Sequence, residues 1–574
     1  MTMDFLQEYE RWLNAPQLTE AEKDELRALR GDEKAIRSRF NGLLSFGTAG
    51  LRGTMAMGTS QMNRFVIRHA TQAFAEVVLA EAPADAVIAV CHDCRNHSRE
   101  FAVDAACVAA ANGIRVRLFE AMRPTPELSF AVRRYGCAAG INVTASHNPK
   151  EYNGYKVYWA DGAQLPPRHA DAVAARMAAL DIFDAPKYMP YDEAVSRGLI
   201  TLMGRETDEE FLACAMAEVP EPEVFRKAAD SFKMVFTPFH GAGRELIPEA
   251  LRRMGLKHVF CEERQMVPDG DFPTVKSPNP ENPEGFYLCE ALADKVGADF
   301  ILGSDPDADR VGVMVRGRDG RFRPLSGNQA GVLLTDYLIG ARRRTGSLPP
   351  RPMVLKSLVS TEMARRVAEL NGVGCADTFT GFKFIAEKKD RLEQAGEGKV
   401  IFSFEESYGY MAGDFVRDKD AVTASLLLVG MAAWYALQGL SLLDALELLY
   451  DKYGCYNEKT LNLVMPGLDG AEKMKALMAS LRETPPAAVA GIPVALARDY
   501  LPGTETTADG VVRDMELKDS NVLSYCLADG TVVIIRPSGT EPKIKVYVMA
   551  KAATREACDE TVEKCSAWAL ALGQ

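Results

Sequence analysis

The stretch NVTASHNPKEYNGYKVY, residues 142–158, begins as an apolar strand, breaks into a polar segment and then resumes as a strand. Pro149 cannot donate a hydrogen bond to a sheet, and Asn153-Gly154 is a strong turn signal. The pattern therefore predicts a loop between two strands, with Ser146 and His147 in that loop. Because binding and catalytic residues concentrate in such loops, Ser146 is a candidate functional residue.

Three other segments share this pattern, in which an apolar strand runs directly into a dense polar loop. They are FILGSDPDADR at 300–310, VIFSFEESYGY at 400–410 and VVIIRPSGTEPK at 532–543. In α/β proteins, ligands bind beyond the carboxyl ends of the strands. We therefore expect the four loops to line one central cleft.

Strand-like and helix-like segments alternate along most of the chain, which predicts an α/β fold with mostly parallel sheets. Residues 1–40 are predicted to be helical, with a capping-box start at Thr19. At about 150 residues per domain, 574 residues suggest about four domains. Polar and Pro-rich stretches place the predicted boundaries so that the domains are 1–205, 206–322, 323–455 and 456–574.

Composition excludes several classes of function. The formal net charge of −12 argues against a nucleic-acid-binding protein, whose phosphate contacts need a basic face. We expect no secretory signal in the N-terminal residues, and the apolar stretch at 424–437, which is too short to span a membrane, is predicted to form a core helix. The twelve cysteines lack the spacing of a disulfide framework, which suits reduced thiols. We expect a cytoplasmic protein without membrane partners.

The loop DPDADR is the clearest candidate for a metal site. Asp305, Asp307 and Asp309 alternate along it, and three carboxylates this close repel one another unless a cation compensates them. An EF-hand is excluded, because its sixth position needs Gly and its twelfth needs Glu, whereas Arg310 and Arg316 stand here. The loop predicts a hard divalent cation, with Mg²⁺ the first choice.

The two remaining loops suit the two ends of a sugar phosphate. RPSGTEPK offers a guanidinium, hydroxyls and Gly-permitted backbone amides, which together favour phosphate; the residues are Arg536, Ser538, Gly539 and Thr540. Glu405 and Ser407 offer acceptors and a hydroxyl that suit sugar hydroxyls. Further basic residues in loop-like contexts form a candidate positive patch: Arg52, Lys156, Arg310, Lys383 and Lys543.

A serine near a divalent cation, with a phosphate-binding loop and a sugar-binding loop elsewhere, indicates phosphoryl transfer. Ser146 could carry the phosphoryl group covalently or could only ligate the metal. A serine-hydrolase triad is a poor fit, because no G-x-S-x-G motif surrounds Ser146. A P-loop kinase is disfavoured, because the chain contains no G-x-x-x-x-G-K-[ST] motif.

Together these motifs resemble those of the α-D-phosphohexomutase superfamily. TASHNP is similar to its phosphoserine loop, DPDADR to its metal loop, EESYGY to its sugar loop and RPSGTEPK to its phosphate loop. FGTAGLRG and TGFK also match, and the matches extend from residue 46 to 547. The EESYGY and TGFK forms and the helical N-terminal extension favour the long phosphoglucomutase and phosphopentomutase branch, which counts against mannose phosphate as the main substrate.

The resemblance implies three related α/β domains and a smaller C-terminal α+β domain around one cleft. It implies that Ser146 carries a phosphoryl group and that Mg²⁺ is bound by Asp305, Asp307, Asp309 and an oxygen of the phosphoserine. A hexose phosphate would be converted through glucose 1,6-bisphosphate, which serves as intermediate and activator.

The resemblance also assigns roles to residues around the cleft. Candidates for proton handling are His147, Lys156 and Lys383, and candidates for substrate binding are Arg52, Arg310, Glu405, Ser407 and the RPSGTEPK residues. Phosphopentomutase, phosphomannomutase, glucose 1,6-bisphosphate synthase and a non-catalytic sugar-phosphate-binding protein remain alternatives, and the oligomeric state, monomer or dimer, stays open.

Overall fold

A computed structural model describes residues 4–47, 50–82, 85–465, 470–538 and 543–573. The chain forms two compact units. The first comprises residues 1–327 and 407–441, and the second comprises residues 328–406 and 442–574. The segment 407–441 therefore returns to the first unit after the chain has entered the second.

The first unit begins with three helices, as the sequence predicts: α1 (Phe5–Asn14), α2 (Glu20–Arg27) and α3 (Glu33–Phe40). The predicted capping box is present, since the Thr19 hydroxyl accepts from the Glu22 amide and the Glu22 carboxylate accepts from the Thr19 amide. Trp12 is fully buried and packs edge-on against Phe40 and Phe65, so these helices belong to the core of the unit.

A six-stranded mixed sheet follows, with the strand order β1-β5-β4-β2-β3-β6. Strands β2, β3, β4 and β6 are parallel, and β1 and β5 are antiparallel to their neighbours. The elements in chain order are β1 (Leu51–Thr54), α4 (Arg64–Glu81), β2 (Val87–His92), α5 (Ser98–Ala111), β3 (Arg115–Phe119), α6 (Thr125–Arg134), β4 (Ala139–Val143), β5 (Tyr152–Trp159), α7 (Pro167–Ala179), α8 (Tyr191–Ser196) and β6 (Ile200–Met203).

A second, five-stranded sheet of the same unit has the order β11-β10-β9-β7-β8, with parallel β7, β8 and β9 and antiparallel β10 and β11. Its last strand ends at Leu325. The elements are α9 (Arg205–Ala217), α10 (Glu223–Lys227), β7 (Lys233–Thr237), α11 (Gly243–Met254), β8 (His258–Cys261), α12 (Glu263–Met266), a 3₁₀ turn (Pro283–Phe286), α13 (Tyr287–Val296), β9 (Phe300–Ser304), β10 (Val311–Arg316) and β11 (Phe322–Leu325).

A third α/β region begins the second unit, where β12 pairs in parallel with both β13 and β14. Its elements are α14 (Gly327–Arg344), β12 (Pro352–Ser357), α15 (Glu362–Leu370), β13 (Gly374–Thr378), α16 (Phe382–Gln394) and β14 (Lys399–Glu405). The returning segment then adds β15 (Gly409–Met411) and the buried helix α17 (Ala421–Ala436) to the first unit, and α18 (Leu442–Tyr453) follows in the second.

The C-terminal region is an antiparallel sheet with helices, an α+β arrangement. Its elements are β16 (Cys455–Val464), α19 (Gly470–Glu483), β17 (Ala488–Val489), β18 (Ile492–Asp499), β19 (Thr504–Thr507), β20 (Val512–Asp514), β21 (Leu523–Leu527), β22 (Val532–Pro537), β23 (Lys543–Ala552) and α20 (Arg555–Ala571). Strands β22 and β23 pair antiparallel and include the two ends of the RPSGTEPK segment, Arg536-Pro537 in β22 and Lys543 in β23.

In the part of the chain that the structure describes, no helix combines the length and apolar character that a membrane span requires. The apolar stretch at 424–437 instead forms most of α17, whose residues are almost all buried in the first unit. This agrees with the prediction of a core helix.

Candidate active site

Ser146 lies in the predicted loop between β4 and β5, which pair antiparallel with Asn142 opposite Lys156. Its backbone takes the left-handed conformation, with φ of 51°, which is uncommon for a residue other than glycine. The amide of Ser146 donates to the Thr144 hydroxyl at 2.9 Å. Although the sequence suggests an exposed loop serine, Ser146 is only 3 % exposed. The structure thus holds it in one buried position.

The buried guanidinium of Arg95 forms hydrogen bonds with the backbone of the Ser146 loop. It donates to four backbone carbonyl oxygens of the loop and of the start of β5: those of Ser146 at 2.5 Å, Asn148, Pro149 at 2.9 Å and Tyr152 at 3.0 Å. Asp93 lies beside Arg95 and also accepts from the Thr144 hydroxyl at 2.6 Å. These contacts determine the path of the loop independently of any ligand.

The metal-loop sequence connects β9 to β10, which pair antiparallel with Ser304 opposite Val311. The carboxylate of Asp305 accepts from the backbone amides of Asp309 and Arg310, at 3.1 and 3.0 Å, and so closes the turn. Gly241, in the loop between β7 and α11, packs directly on Pro306. The neighbouring Ala242 amide donates to the Pro306 carbonyl at 2.8 Å.

The two loops meet inside the first unit. The Ser146 hydroxyl donates to Asp305 Oδ2 at 2.6 Å. One carboxylate oxygen from each of Asp305, Asp307 and Asp309 lies within 4.8 Å of the others, and all three residues are buried. The structure therefore brings together the serine and the three aspartates that the sequence singles out.

Two lysines offset part of the negative charge of the carboxylates. Lys156 Nζ lies 2.6 Å from Asp307 Oδ2 and 3.2 Å from Asp309 Oδ2. Lys419 Nζ lies 3.2 Å from Asp309 and 3.0 Å from Asp418. Lys419 is not among the residues predicted from the sequence, although it belongs to the charged run RDKD immediately before the apolar α17, a signal that could have indicated it.

The pKa values of Asp305 and Asp309 are shifted in opposite directions. Burial, together with the neighbouring Asp307 and Asp309, raises the pKa of Asp305 well above its usual value. Burial also opposes ionisation of Asp309, but the charges of Lys156, Lys419 and Arg310 outweigh it and lower its pKa. The pKa of Lys156 is raised, since Asp307 and Asp309 overcome the opposing effect of burial. The three buried carboxylates thus favour a positive charge close to their oxygens.

The residues fit a hard divalent cation. The donor set consists of oxygens from three carboxylates and one serine, which Mg²⁺ prefers. In addition, Asp307 Oδ1 and Asp309 Oδ1 are buried and have no hydrogen-bond partner among the described residues. Buried carboxylate oxygens are normally satisfied, so these two are available to a metal ion.

Three further predicted residues lie around this cluster. His147 Nδ1 is 3.3 Å from Ser146 Oγ, and burial together with the charges of Arg310 and Arg52 lowers the pKa of His147 well below its usual value. Arg310 pairs with Glu281 at 3.1 Å, and Arg52 donates to Asn148 at 3.1 Å. The first unit therefore gathers basic and acidic groups around Ser146.

Other predicted residues belong to the second unit. Glu405 accepts from the Gly381 amide at 2.6 Å, so the sugar-loop and TGFK segments are in contact. Lys383 lies in the first turn of α16, and burial lowers its pKa. Burial and the nearby Glu406 raise the pKa of Tyr547 to about 12, against the opposing charge of Arg536.

The remaining predicted residues divide between the units and the undescribed part of the chain. Ser407 opens the segment that returns to the first unit, and Ser538 follows β22 in the second. Gly539 and Thr540 lie outside the described residues.

The chain belongs to the phosphoglucomutase/phosphomannomutase family. It matches the family's alpha/beta/alpha domains I, II and III at residues 43–182, 210–319 and 326–453, and its C-terminal domain at residues 474–564. The predicted four-domain phosphohexomutase architecture is therefore confirmed, and the chain is a mutase, an enzyme of the isomerase class. The exact domain boundaries stay predictions.

Individual relatives agree with this assignment. A phosphoglucomutase of Staphylococcus aureus is 35 % identical over 90 % of this chain and 91 % of its own length. A phosphoglucomutase of Staphylococcus epidermidis is 36 % identical over 89 % and 91 %.

Solved structures share the fold at lower identity. Parafusin, a phosphoglucomutase from Paramecium, aligns over 93 % of this chain and 95 % of its own with a TM-score of 0.70 at 18 % identity. A phosphoglucomutase/phosphomannomutase family protein from Burkholderia thailandensis aligns over 92 % and 97 % with a TM-score of 0.65 at 20 % identity.

Gly241 packs against the metal loop without room for a side chain. A Cβ at this position would lie 2.3 Å from Pro306 Cα, so Gly241→Ala must displace the metal loop. We expect a loss of about 10- to 100-fold in divalent-cation affinity, the size of effect that follows when groups supporting metal ligands are changed. Isothermal titration of metal-free protein with Mg²⁺ measures it.

Gly340→Ala is the matched control, because its Cβ would contact only the flexible end of Arg344. The cation affinity of this control should equal that of the unmodified protein. Equal affinity in Gly241→Ala would show that the loop does not depend on this contact.

Proposed function

We propose that this enzyme is a phosphoglucomutase that interconverts glucose 1-phosphate and glucose 6-phosphate through glucose 1,6-bisphosphate. The observation that carries the proposal is the 2.6 Å contact of Ser146 Oγ with Asp305, within a buried cluster of three aspartates. A serine so placed can carry a phosphoryl group whose charge a cation and nearby basic residues offset. The names of the relatives support glucose phosphate as the substrate.

In the proposed resting state, Ser146 is phosphorylated. The free hydroxyl of the bound sugar phosphate attacks the phosphorus, the bond to Ser146 Oγ breaks, and the 1,6-bisphosphate forms. The hydroxyl proton leaves to a neighbouring base, for which His147, Lys156 and Lys383 are candidates, and Oγ takes up a proton. The bisphosphate then presents its other phosphoryl group, which returns to Ser146.

The chain's own residues have distinct parts in this cycle. Asp305, Asp307, Asp309 and an oxygen of the phosphoserine would hold Mg²⁺, which when bound stabilises charge on the transferred phosphoryl oxygens. His147 Nδ1 lies 3.3 Å from Ser146 Oγ and, with a lowered pKa, would act as a neutral imidazole that accepts a proton and can then pass it to Oγ. Lys156 keeps Asp307 and Asp309 paired, and Arg52 and Arg310 add positive charge for the reacting phosphate.

The EESYGY and RPSGTEPK segments would bind the part of the substrate that does not react. Arg536, with Ser538, Gly539 and Thr540, would hold the distal phosphate, since a guanidinium and neutral donors together favour this anion. Glu405 and Ser407 would accept and donate hydrogen bonds at ring hydroxyls. Because both orientations of the intermediate present a distal phosphate, one such binding loop serves both half-reactions.

The proposed function also includes cofactors and a cellular location. Mg²⁺ is the proposed metal and glucose 1,6-bisphosphate the proposed activator. We propose a cytoplasmic enzyme of small sugar phosphates that acts without nucleic acid or membrane partners.

The substrate test compares initial rates with glucose 1-phosphate, ribose 1-phosphate and mannose 1-phosphate at equal Mg²⁺ and bisphosphate concentrations. We expect the highest kcat/KM with glucose 1-phosphate. A preference for the ribose ester would instead identify a phosphopentomutase, and a preference for the mannose ester a phosphomannomutase. Net formation of the bisphosphate would identify a synthase, and no turnover of any ester would identify a binding protein.

Substitution of the serine tests the covalent step. Ser146→Ala should abolish turnover while the protein remains folded, because it removes the group that carries the phosphoryl. Mass spectrometry of the intact purified enzyme should find one phosphate, and Ser146→Ala should lack it. The exposed Ser38→Ala is the control and should keep both activity and phosphate. Activity in Ser146→Ala above about a hundredth of the normal rate would contradict a covalent role, since losing a nucleophile costs far more.

The distal phosphate contact is tested by Arg536→Ala. We expect kcat/KM to fall by an amount that corresponds to a loss of about 2 to 4 kcal/mol in transition-state stabilisation, as for loss of a charged hydrogen-bonding partner. Because remote binding energy positions the reacting end, kcat should fall together with affinity. Steady-state kinetics measures this, beside the exposed Arg513→Ala of the same unit, which should behave normally. Unchanged constants in Arg536→Ala would mean that this loop does not bind substrate.

A further inference from the structure

Asp307 is held by residues of the first sheet, although it belongs to the metal loop that follows β9. The Thr125 hydroxyl donates to Asp307 Oδ2 at 2.7 Å, and the Thr125 amide donates to the Asp307 carbonyl oxygen at 2.8 Å. Thr125 is the first residue of α6 and is completely buried, as is Asp307. The side chain and the backbone amide of Thr125 thus both donate hydrogen bonds to Asp307.

The direction of the hydroxyl bond is determined by a third residue. Asn142, on β4, donates from its side-chain nitrogen to Thr125 Oγ1 at 2.7 Å. With its oxygen accepting that bond, the threonine hydroxyl hydrogen is left to donate to Asp307. Asn142 is fully buried, so water does not compete for the interaction. Asn142 and Thr125 therefore form a short, directed chain that ends on Asp307.

The consequence concerns the two oxygens of the Asp307 carboxylate. Oδ2 accepts from Thr125 and from Lys156, at 2.7 and 2.6 Å. Oδ1 is buried and has no hydrogen-bond partner within the described residues. Two donors on one oxygen determine the plane of the carboxylate and leave the other oxygen directed to a cation.

We propose that Thr125, oriented by Asn142, is a positioning residue that presents Asp307 Oδ1 to the divalent cation. This inference rests on the proposed function, in which Asp307 is a metal ligand. Thr125 differs from Lys156 in one important respect. Lys156 also pairs with Asp309, whereas the described contacts of the threonine hydroxyl join only Asp307 and Asn142. A neutral donor keeps its hydrogen bond while the charges around it change, so Thr125 can hold Asp307 throughout the reaction.

The test is cation binding to metal-free protein, which requires no substrate. Isothermal titration with Mg²⁺, and electron paramagnetic resonance titration with Mn²⁺, should show affinity about 10- to 100-fold weaker for Thr125→Val, as expected when a group that orients a ligand is removed. Thr125→Ser retains the hydroxyl and should restore most of that affinity. At saturating cation, the KM for glucose 1-phosphate should be close to that of the unmodified enzyme.

The matched control is Thr71→Val. Thr71 is also buried, and its hydroxyl also contacts another side chain, that of Tyr155, but it lies on α4 away from the metal loop. This variant should keep normal cation affinity despite a similar loss of a buried hydroxyl. Circular dichroism of each metal-free variant verifies folding, and Asn142→Leu, which removes only the orienting donor, is used if Thr125→Val does not fold.

The outcomes distinguish failure of the proposed metal centre from failure of the proposed positioning role. If the unmodified protein binds neither Mg²⁺ nor Mn²⁺, the proposed metal centre is wrong. If it binds them and Thr125→Val or the substitute Asn142→Leu binds equally well, the metal centre stands and the positioning role is wrong. Equal weakening in Thr71→Val would also overturn the inference, because the effect would then be a general loss of stability.

Discussion

The site depends on the electrostatic balance between three buried aspartates and the positive groups around them. Three carboxylates whose oxygens lie within 4.8 Å of one another would repel strongly in a medium from which water is excluded. Lys156 and Lys419 offset part of this charge, and the Ser146 hydroxyl donates to Asp305. The balance requires contributions from β5, from the metal loop and from the segment before α17. The first unit must therefore assemble three distant stretches of sequence before the site exists.

The strand pairing explains why these stretches meet. Because β4 and β5 pair antiparallel with Asn142 opposite Lys156, both residues reach Asp307, one through Thr125 and the other directly. The metal loop enters from the second sheet, with its backbone packed on Gly241. Metal-binding groups gain precision from rigid elements of this kind, since a helix end and two strands hold the side chains in place.

Much of this could be predicted from the sequence because it is local. Pro149, Asn153 and Gly154 mark the ends of a loop through their own backbone preferences, and the alternation of three aspartates stands within five residues. Lys419, Arg95 and Thr125 were missed because their roles arise from contacts across long separations in the chain. A lysine or a threonine gives no local signal of its distant partner. The near-complete burial of Ser146 was missed for the same reason, since burial depends on what packs over the loop.

Arg95 matters for the proposed reaction, in which Ser146 alternates between a free and a phosphorylated form. Phosphorylation adds close to two negative charges at neutral pH, a change that often reorders a loop. Here one buried guanidinium binds four backbone carbonyl oxygens of the loop region, and none of these bonds involves the serine hydroxyl oxygen Oγ. The backbone is thus anchored separately from the group that reacts. The loop can pass between its two chemical states with little reorganisation energy, and the barrier of each half-reaction then contains little contribution from refolding of the loop.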